Sequence, residues 1–191
     1  MSIKKRIILA VVVSLFVFVI YQLVNTEEAN IDNQSLSDMI NSETTVLGAL
    51  EVMEDVGLNF SISDSCKNML VKYPEYYNGS MLEVPATDKM VFGANYQDVM
   101  NNIEDNGNNI VLLPESTVIS ISRSVNEDGI TMVELVDSEF NYYMMVSDYK
   151  FDGVEEGDEI GGFYTPAGTM EFINKNNEDE IGIVGVIALH D

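Results

Sequence analysis

One histidine, His190, stands next to the C-terminal residue of this 191-residue chain, and one cysteine, Cys66, is the only thiol. Ser–His–Asp and Cys–His catalysis both need an imidazole held against the nucleophile. A lone histidine at a frayed end is a poor base for either, so nucleophilic hydrolysis of those kinds is not expected. The lone cysteine makes no intrachain disulfide and reads as a buried, reduced core residue. Oxygen donors are abundant instead. The stretch Asp105 to Asn109 carries the oxygen donors that a hard cation such as Ca²⁺ takes, but it lacks the rest of a calcium-loop pattern, and solvated loop residues are the expectation. Among 32 acidic residues no particular pair stands out as the acid and base of a glycoside hydrolase. Lys150, in Asp148-Tyr-Lys-Phe-Asp152, lacks the flanking Met or Ala of a carrier-domain lysine and lies too close to Gly157 for that chemistry. No cofactor is expected.

These residues must be positioned by a chain of strongly asymmetric charge. Nine Lys and Arg face 32 Asp and Glu, for a net charge of −23. Three of the nine, Lys4, Lys5 and Arg6, sit in the leader, so the remainder is more acidic still and a poor partner for nucleic acid or anionic headgroups. After that basic cluster, Ile7 to Val24 is an uncharged, apolar run long enough to span a bilayer, and the first charges beyond it are Glu27, Glu28 and Asp32. The expectation is a single-pass anchor in the cytoplasmic (inner) membrane, N-terminus inside, with the main domain periplasmic or extracellular. A small-x-small cleavage site is absent, which favours an anchor over a cleaved signal peptide.

Residues 1–24 thus read as cytoplasmic tip and transmembrane anchor, and 25–34 as a polar tether. Residues 35–80 read as a helical membrane-proximal segment. Within it Leu36, Met39, Ile40, Leu47, Leu50, Met53 and Val56 recur at helical spacing, with a break near Thr44 and Gly57 as a C-cap. A second helix is expected from Asp64 to Tyr73, with Cys66, Met69 and Leu70 on one face and Pro74 ending it. The cluster Tyr73-Pro-Glu-Tyr-Tyr77 and Asn78-Gly79 mark a turn. Residues 81–191 change grammar. Val118–Ser122, Ile130–Val136, Tyr142–Val146 and Ile181–Leu189 are short apolar or alternating runs between Gly, Asn and Asp, the spacing of a small β barrel or sandwich.

Two blocks of this β region, in order, carry a family resemblance. The first runs Val91-Phe-Gly93, then Asp105 to Asn109-Ile110, then Pro114-Glu-Ser-Thr117 into an alternating strand. The second runs Tyr142-Tyr143-Met144-Met145, then Gly157-Asp158-Glu-Ile160-Gly161, then Gly168-Thr-Met-Glu171-Phe172. Together they resemble the lysostaphin-type, or LytM-type, peptidoglycan endopeptidases over roughly the span 91–173. The resemblance implies a barrel of duplicated hybrid-motif type. It places Asp105, Asn109 and Glu171 where the family holds zinc, and Met145 and Thr169 where it keeps the histidines that serve the attacking water. Every histidine of the pattern is missing, so no zinc-dependent hydrolysis is expected. The glycines keep a purely structural purpose: Gly157-Asp158 suits a tight turn, and Gly161-Gly162 a bulge or close approach where a barrel bends.

What the resemblance implies is a binding or regulatory domain of a cell-envelope complex, with Asn109, Tyr143, Met145, Thr169 and Glu171 lining the former peptide groove. The partners expected are membrane lipid through the N-terminal helix and an envelope protein or peptidoglycan. Tyr142, Tyr143, Phe163 and Tyr164 are candidate contact aromatics, about half of which alternation would turn into the core. Two other readings stay open: a wall hydrolase with an atypical active site, and an adaptor of an export or membrane-fusion apparatus whose long helix oligomerises.

Overall fold

The computed structural model describes residues 39, 45–55, 59–77, 90–91, 94–124, 129–173 and 179–190. In chain order its elements are helices α1 (Val46–Asp55) and α2 (Asp64–Lys72), a 3₁₀ turn (Pro74–Tyr76), strand β1 (Met90–Val91) and the short helices α3 (Tyr96–Asn101) and α4 (Ile103–Asn106). The strands β2 (Ile110–Arg123), β3 (Thr131–Asp137), β4 (Tyr142–Ser147), β5 (Glu159–Ile173) and β6 (Asp179–His190) follow. The candidate span Ile7 to Val24 and the tether lie outside the described residues. Among the described residues no helix is long and apolar enough to cross a membrane.

The strands are ordered β1-β2-β3-β4-β6-β5, and β2 pairs with β5 as well, which closes five of them into a barrel. β2, β3 and β4 form an antiparallel meander, β6 returns parallel to β4, and β5 runs antiparallel to both β6 and β2. The expected small β barrel is therefore present, closing as a single five-stranded barrel of Greek-key connection. Closure depends on two long strands that each serve two neighbours. β2 pairs with β5 through Val111–Thr117 and with β3 through Ser116–Arg123. It bends at Pro114-Glu115, where two residues of β2 oppose one of β5 between the pairs Leu113–Gly162 and Ser116–Ile160. A bulge is one of the few places a strand admits proline, and the Ser116 hydroxyl donates to the Pro114 carbonyl at 2.8 Å.

Two cores result. Inside the barrel, Val111, Leu113, Val118, Val133, Leu135, Met145 and Ile183 are buried with Tyr143 and Tyr164. Outside it, Met144 and Val146 of β4 and Val184, Val186 and Ala188 of β6 pack against Leu50 and Met53 of α1 and Cys66 and Met69 of α2. Strands β4 and β6 are thus buried on both faces, which is why their sequences run apolar continuously, whereas β3 alternates. Each Leu or Met so buried contributes about 1.5–3 kcal/mol.

Of the helical segment read from Ser35 to Val56, residues 35–38, 40–44 and 56–58, with the Gly57 C-cap, lie outside the described residues. Thr45 lies in a bend and its hydroxyl accepts from the Gly48 N–H at 3.1 Å, so the described helix α1 begins at Val46. The second helix matches its reading, with Cys66, Met69 and Leu70 buried and Pro74 beyond its end. Helices α3 and α4 and strand β5 were not legible as elements. His190, expected at a frayed end, has its backbone in β6, paired with Gly162.

Candidate functional site

An open groove of about 570 Å³ lies where the helical layer meets the barrel, and Ser63, Asp64, Met100, Glu104, Gly168 and Thr169 are among its lining residues. Its walls follow from local capping. Ser63 is the N-cap of α2, extended at ψ 141°, with its hydroxyl accepting from the Cys66 N–H at 3.1 Å. The Glu104 carboxylate from α4 accepts from the backbone N–H and the hydroxyl of Ser65, at 2.9 and 2.7 Å. A carboxylate set against the first turn of a helix is favourable because the orphan N–H groups there carry partial positive charge. The Ser-Asp pair ahead of the apolar face of α2 is an N-cap signal readable in the sequence; Glu104, 39 residues away, is not.

The wall formed by β5 is held by the segment Asn59–Ser63, which runs along its outer edge. The Ser63 N–H donates to the Ala167 carbonyl at 2.8 Å, and the Asn59 amide donates to the Glu171 carboxylate at 3.0 Å. Between them Gly168 lies so close that a Cβ there would come within 2.5 Å of the Ser61 carbonyl and 2.6 Å of the Phe60 ring. The next hydroxyl is engaged too: Ser61 donates to Glu54 at 2.9 Å, and Glu54 also accepts from the Ile62 N–H and pairs with Lys67 at 3.2 Å. The Ser61 hydroxyl, the Ile62 N–H and Lys67 together hold the Glu54 carboxyl below the usual range. The serine hydroxyls at positions 61 and 63 are therefore tied into structure rather than poised as nucleophiles.

The residues singled out from the sequence are dispersed. Asp105 is exposed on α4, and its carbonyl accepts from the Asn109 amide at 3.2 Å. The Asn109 carbonyl accepts from Thr165, whose hydroxyl also meets the buried Tyr77 hydroxyl at 2.6 Å. Met145 is 0% exposed and Tyr143 is 2% exposed inside the barrel. Neither can floor an open groove, because β4 turns both into the interior core. Thr169 lines the groove, and Glu171 is exposed beside Asn59. The structure brings Asn109, Thr169 and Glu171 to the side where the helical layer docks and leaves Met145 and Tyr143 behind. Of the four candidate aromatics, Tyr143 and Tyr164 are core, packed edge to face at 6.1 Å, while Tyr142 and Phe163 are half-buried against the outer core. Among the described residues no group of three or more His, Cys, Asp or Glu is placed to hold a metal ion.

Cys66 is 0% exposed, and burial, with the Glu104 charge behind it, pushes its thiol up to about 12. A thiol so raised is neither nucleophile nor ligand at neutral pH.

At the opposite register of β5 the turn expected at Gly157-Asp158 is present. Gly157 adopts φ +92° and the Asp158 N–H donates to the Glu155 carbonyl at 3.1 Å, a type II turn that a side chain at position 157 would strain. The loop leading to it drops Phe151, 1% exposed, onto the end of the barrel core, and Arg123 clasps that loop. The guanidinium donates to the carbonyls of Lys150 and Phe151 at 2.8 Å each and to that of Val154.

No protein-family model, curated protein or solved structure matches the chain.

Proposed function

We propose that the chain is a bilayer-tethered, non-catalytic binding protein, with the helical layer and barrel acting together as an extracytoplasmic recognition domain in a cell-envelope complex. The observation that carries this reading is the employment of its reactive groups. Cys66 is buried with a raised thiol, the hydroxyls of Ser61 and Ser63 are tied into the fold, and Glu104 and Glu171 dock one layer on the other. The anchor rests on Ile7 to Val24 and its basic flank.

Five-stranded Greek-key barrels of the OB type bind oligonucleotides or oligosaccharides across the second and third strands of the barrel. Here those strands are β3 and β4, and the β4 part of that face is covered, since Met144 and Val146 lie under α1. The net charge of −23 disfavours nucleic acid. An envelope protein or the glycan and peptide of the wall is the class of partner left. Fold analogy alone does not choose between these two.

The test uses residues 25–191 purified without chelator. Elemental mass spectrometry and a peptidoglycan cleavage assay are expected to give neither stoichiometric zinc nor turnover, with sedimentation against insoluble peptidoglycan separating wall binding from protein binding. One zinc per chain together with cleavage would overturn the reading in favour of a working hydrolase.

A further inference from the structure

The corner where α2 passes into the 3₁₀ turn differs in chemistry from the acidic remainder of the molecule. Val71 is 70% exposed, a large apolar side chain in water. Lys72 holds its ammonium 5.0 Å from the centre of the Tyr73 ring, and Tyr73 stacks on Tyr76 at 5.4 Å with only 10° between the ring planes. Both rings are half-buried, with one side against the outer core. The corner combines an exposed aliphatic group, two amphipathic rings and a cation, and Glu75 is the one acid within the stretch 71–77.

We infer that Val71, Lys72, Tyr73 and Tyr76 rest in the interfacial zone of the bilayer in which the chain is anchored, fixing how the barrel faces its partner. The inference rests on the anchored reading above. Tyrosine and lysine are the side chains that settle at a membrane interface, the ring at headgroup level and the ammonium toward the phosphates. The tether supports the same occupant. From Val24 to Val46 the chain reaches at most about 75 Å even when fully extended, so the domain meets this membrane at high local concentration and a weak contact suffices. Val46 and Leu47, at the start of α1, belong to the same outer core as Tyr73, Tyr76 and Tyr77.

The chain has no tryptophan, so one introduced residue is a unique reporter. Val71→Trp alters an exposed position and leaves the core intact, and Glu155→Trp, on the loop that plugs the barrel, is the comparison. The full chain carrying either substitution is reconstituted in phosphatidylcholine vesicles, recovered by flotation and measured with and without brominated phosphatidylcholine. The expected result is that both variants float, that fluorescence is lost to bromine at position 71 and retained at position 155, and that adding Tyr73→Ser restores the emission at position 71. Flotation with equal quenching at the two positions, or with none at position 71, overturns the inference while leaving the anchor standing. Failure to float overturns the anchored reading and this inference with it.

Discussion

Phe140 has a backbone at odds with its residue type. It sits at φ +66° in the turn between β3 and β4 while 72% exposed. The left-handed region costs a β-carbon residue about 1–2 kcal/mol, and so exposed a ring gains little from packing to offset it. The turn persists because Asp137 over-determines it. Its carboxylate accepts from the Glu139 and Asn141 N–H groups at 2.9 and 3.0 Å and from the Asn141 amide at 2.8 Å, while its carbonyl accepts from the Phe140 N–H at 3.1 Å. Phe140→Gly is therefore expected to stabilise the fold, by about 0.5–1 kcal/mol after allowing for the greater unfolded-state freedom of glycine; urea denaturation would read this as a higher midpoint at unchanged slope. Cys66 gives a second test at this scale. With its thiol raised by burial, it is expected to resist alkylation by iodoacetamide at neutral pH in the folded protein and to react once urea unfolds it, so rapid labelling of the native chain would contradict its placement. The burial of Cys66 was legible from its helical spacing with Met69 and Leu70. The strain at Phe140 was not, because no residue in Ser-Glu-Phe-Asn announces a positive φ.

At the scale of elements, the loop between β4 and β5 takes the place of a regular capping element, and Arg123 with Phe151 makes it stable. The planar fork of arginine satisfies several buried carbonyls from one side chain, and lysine cannot copy that geometry. Arg123→Lys is expected to cost about 2–3 kcal/mol, since at least one carbonyl is left unpaired in a poorly solvated site. Thermal unfolding at equal pH would measure the loss. The same loop begins at Asp148, whose carboxyl is pushed up to about 6 by burial, with its own backbone N–H acting in the opposite direction. One of its oxygens is buried with no partner among the described residues. An acid whose folded value lies above its ordinary 3.8 binds more protons in the native state between those limits. Stability therefore falls as pH rises from about 4 to about 6 and is level on either side, as far as this group is concerned. Asp148→Asn is expected to raise the melting temperature at pH 7.5 and to flatten that slope; an unchanged slope would assign the pH dependence elsewhere. The Gly157-Asp158 turn was readable because only a few residue types tolerate φ +92°. The arginine clasp was not, since its acceptors are backbone carbonyls that every residue carries.

At the scale of the whole molecule, stability hangs on the contact between helical layer and barrel. The outer core draws side chains from α1, α2, β4 and β6, so neither layer buries its apolar surface without the other. At Gly168 the two backbones come close together. A methyl group there would meet the Ser61 carbonyl at 2.5 Å, a clash with backbone that no rotamer change relieves. Gly168→Ala is expected to destabilise by about 1–3 kcal/mol through overpacking and to expose the outer core. Binding of a hydrophobic dye at temperatures below the main unfolding transition would show it, and a silent substitution would mean that the segment at Phe60 and Ser61 shifts freely. The glycine was visible in the sequence as part of an ordered motif, but its partner, more than a hundred residues earlier, was not.

Patterns local to the chain were decided by the sequence alone. Helix α2 with its end at Pro74, the apolar runs that become β3, β4 and β6, and the tight turn at Gly157 follow from short-range sterics and from the periodicity of apolar residues, and the acidic charge from composition alone. Closure of the barrel through the shared strands β2 and β5, the docking of Asn59–Ser63 on β5, and the separation of Met145 from Glu171 were decided only by the tertiary structure. Each of these depends on contacts between residues far apart in sequence, where backbone hydrogen bonds and complementary volume choose the partner and residue type carries little of the information.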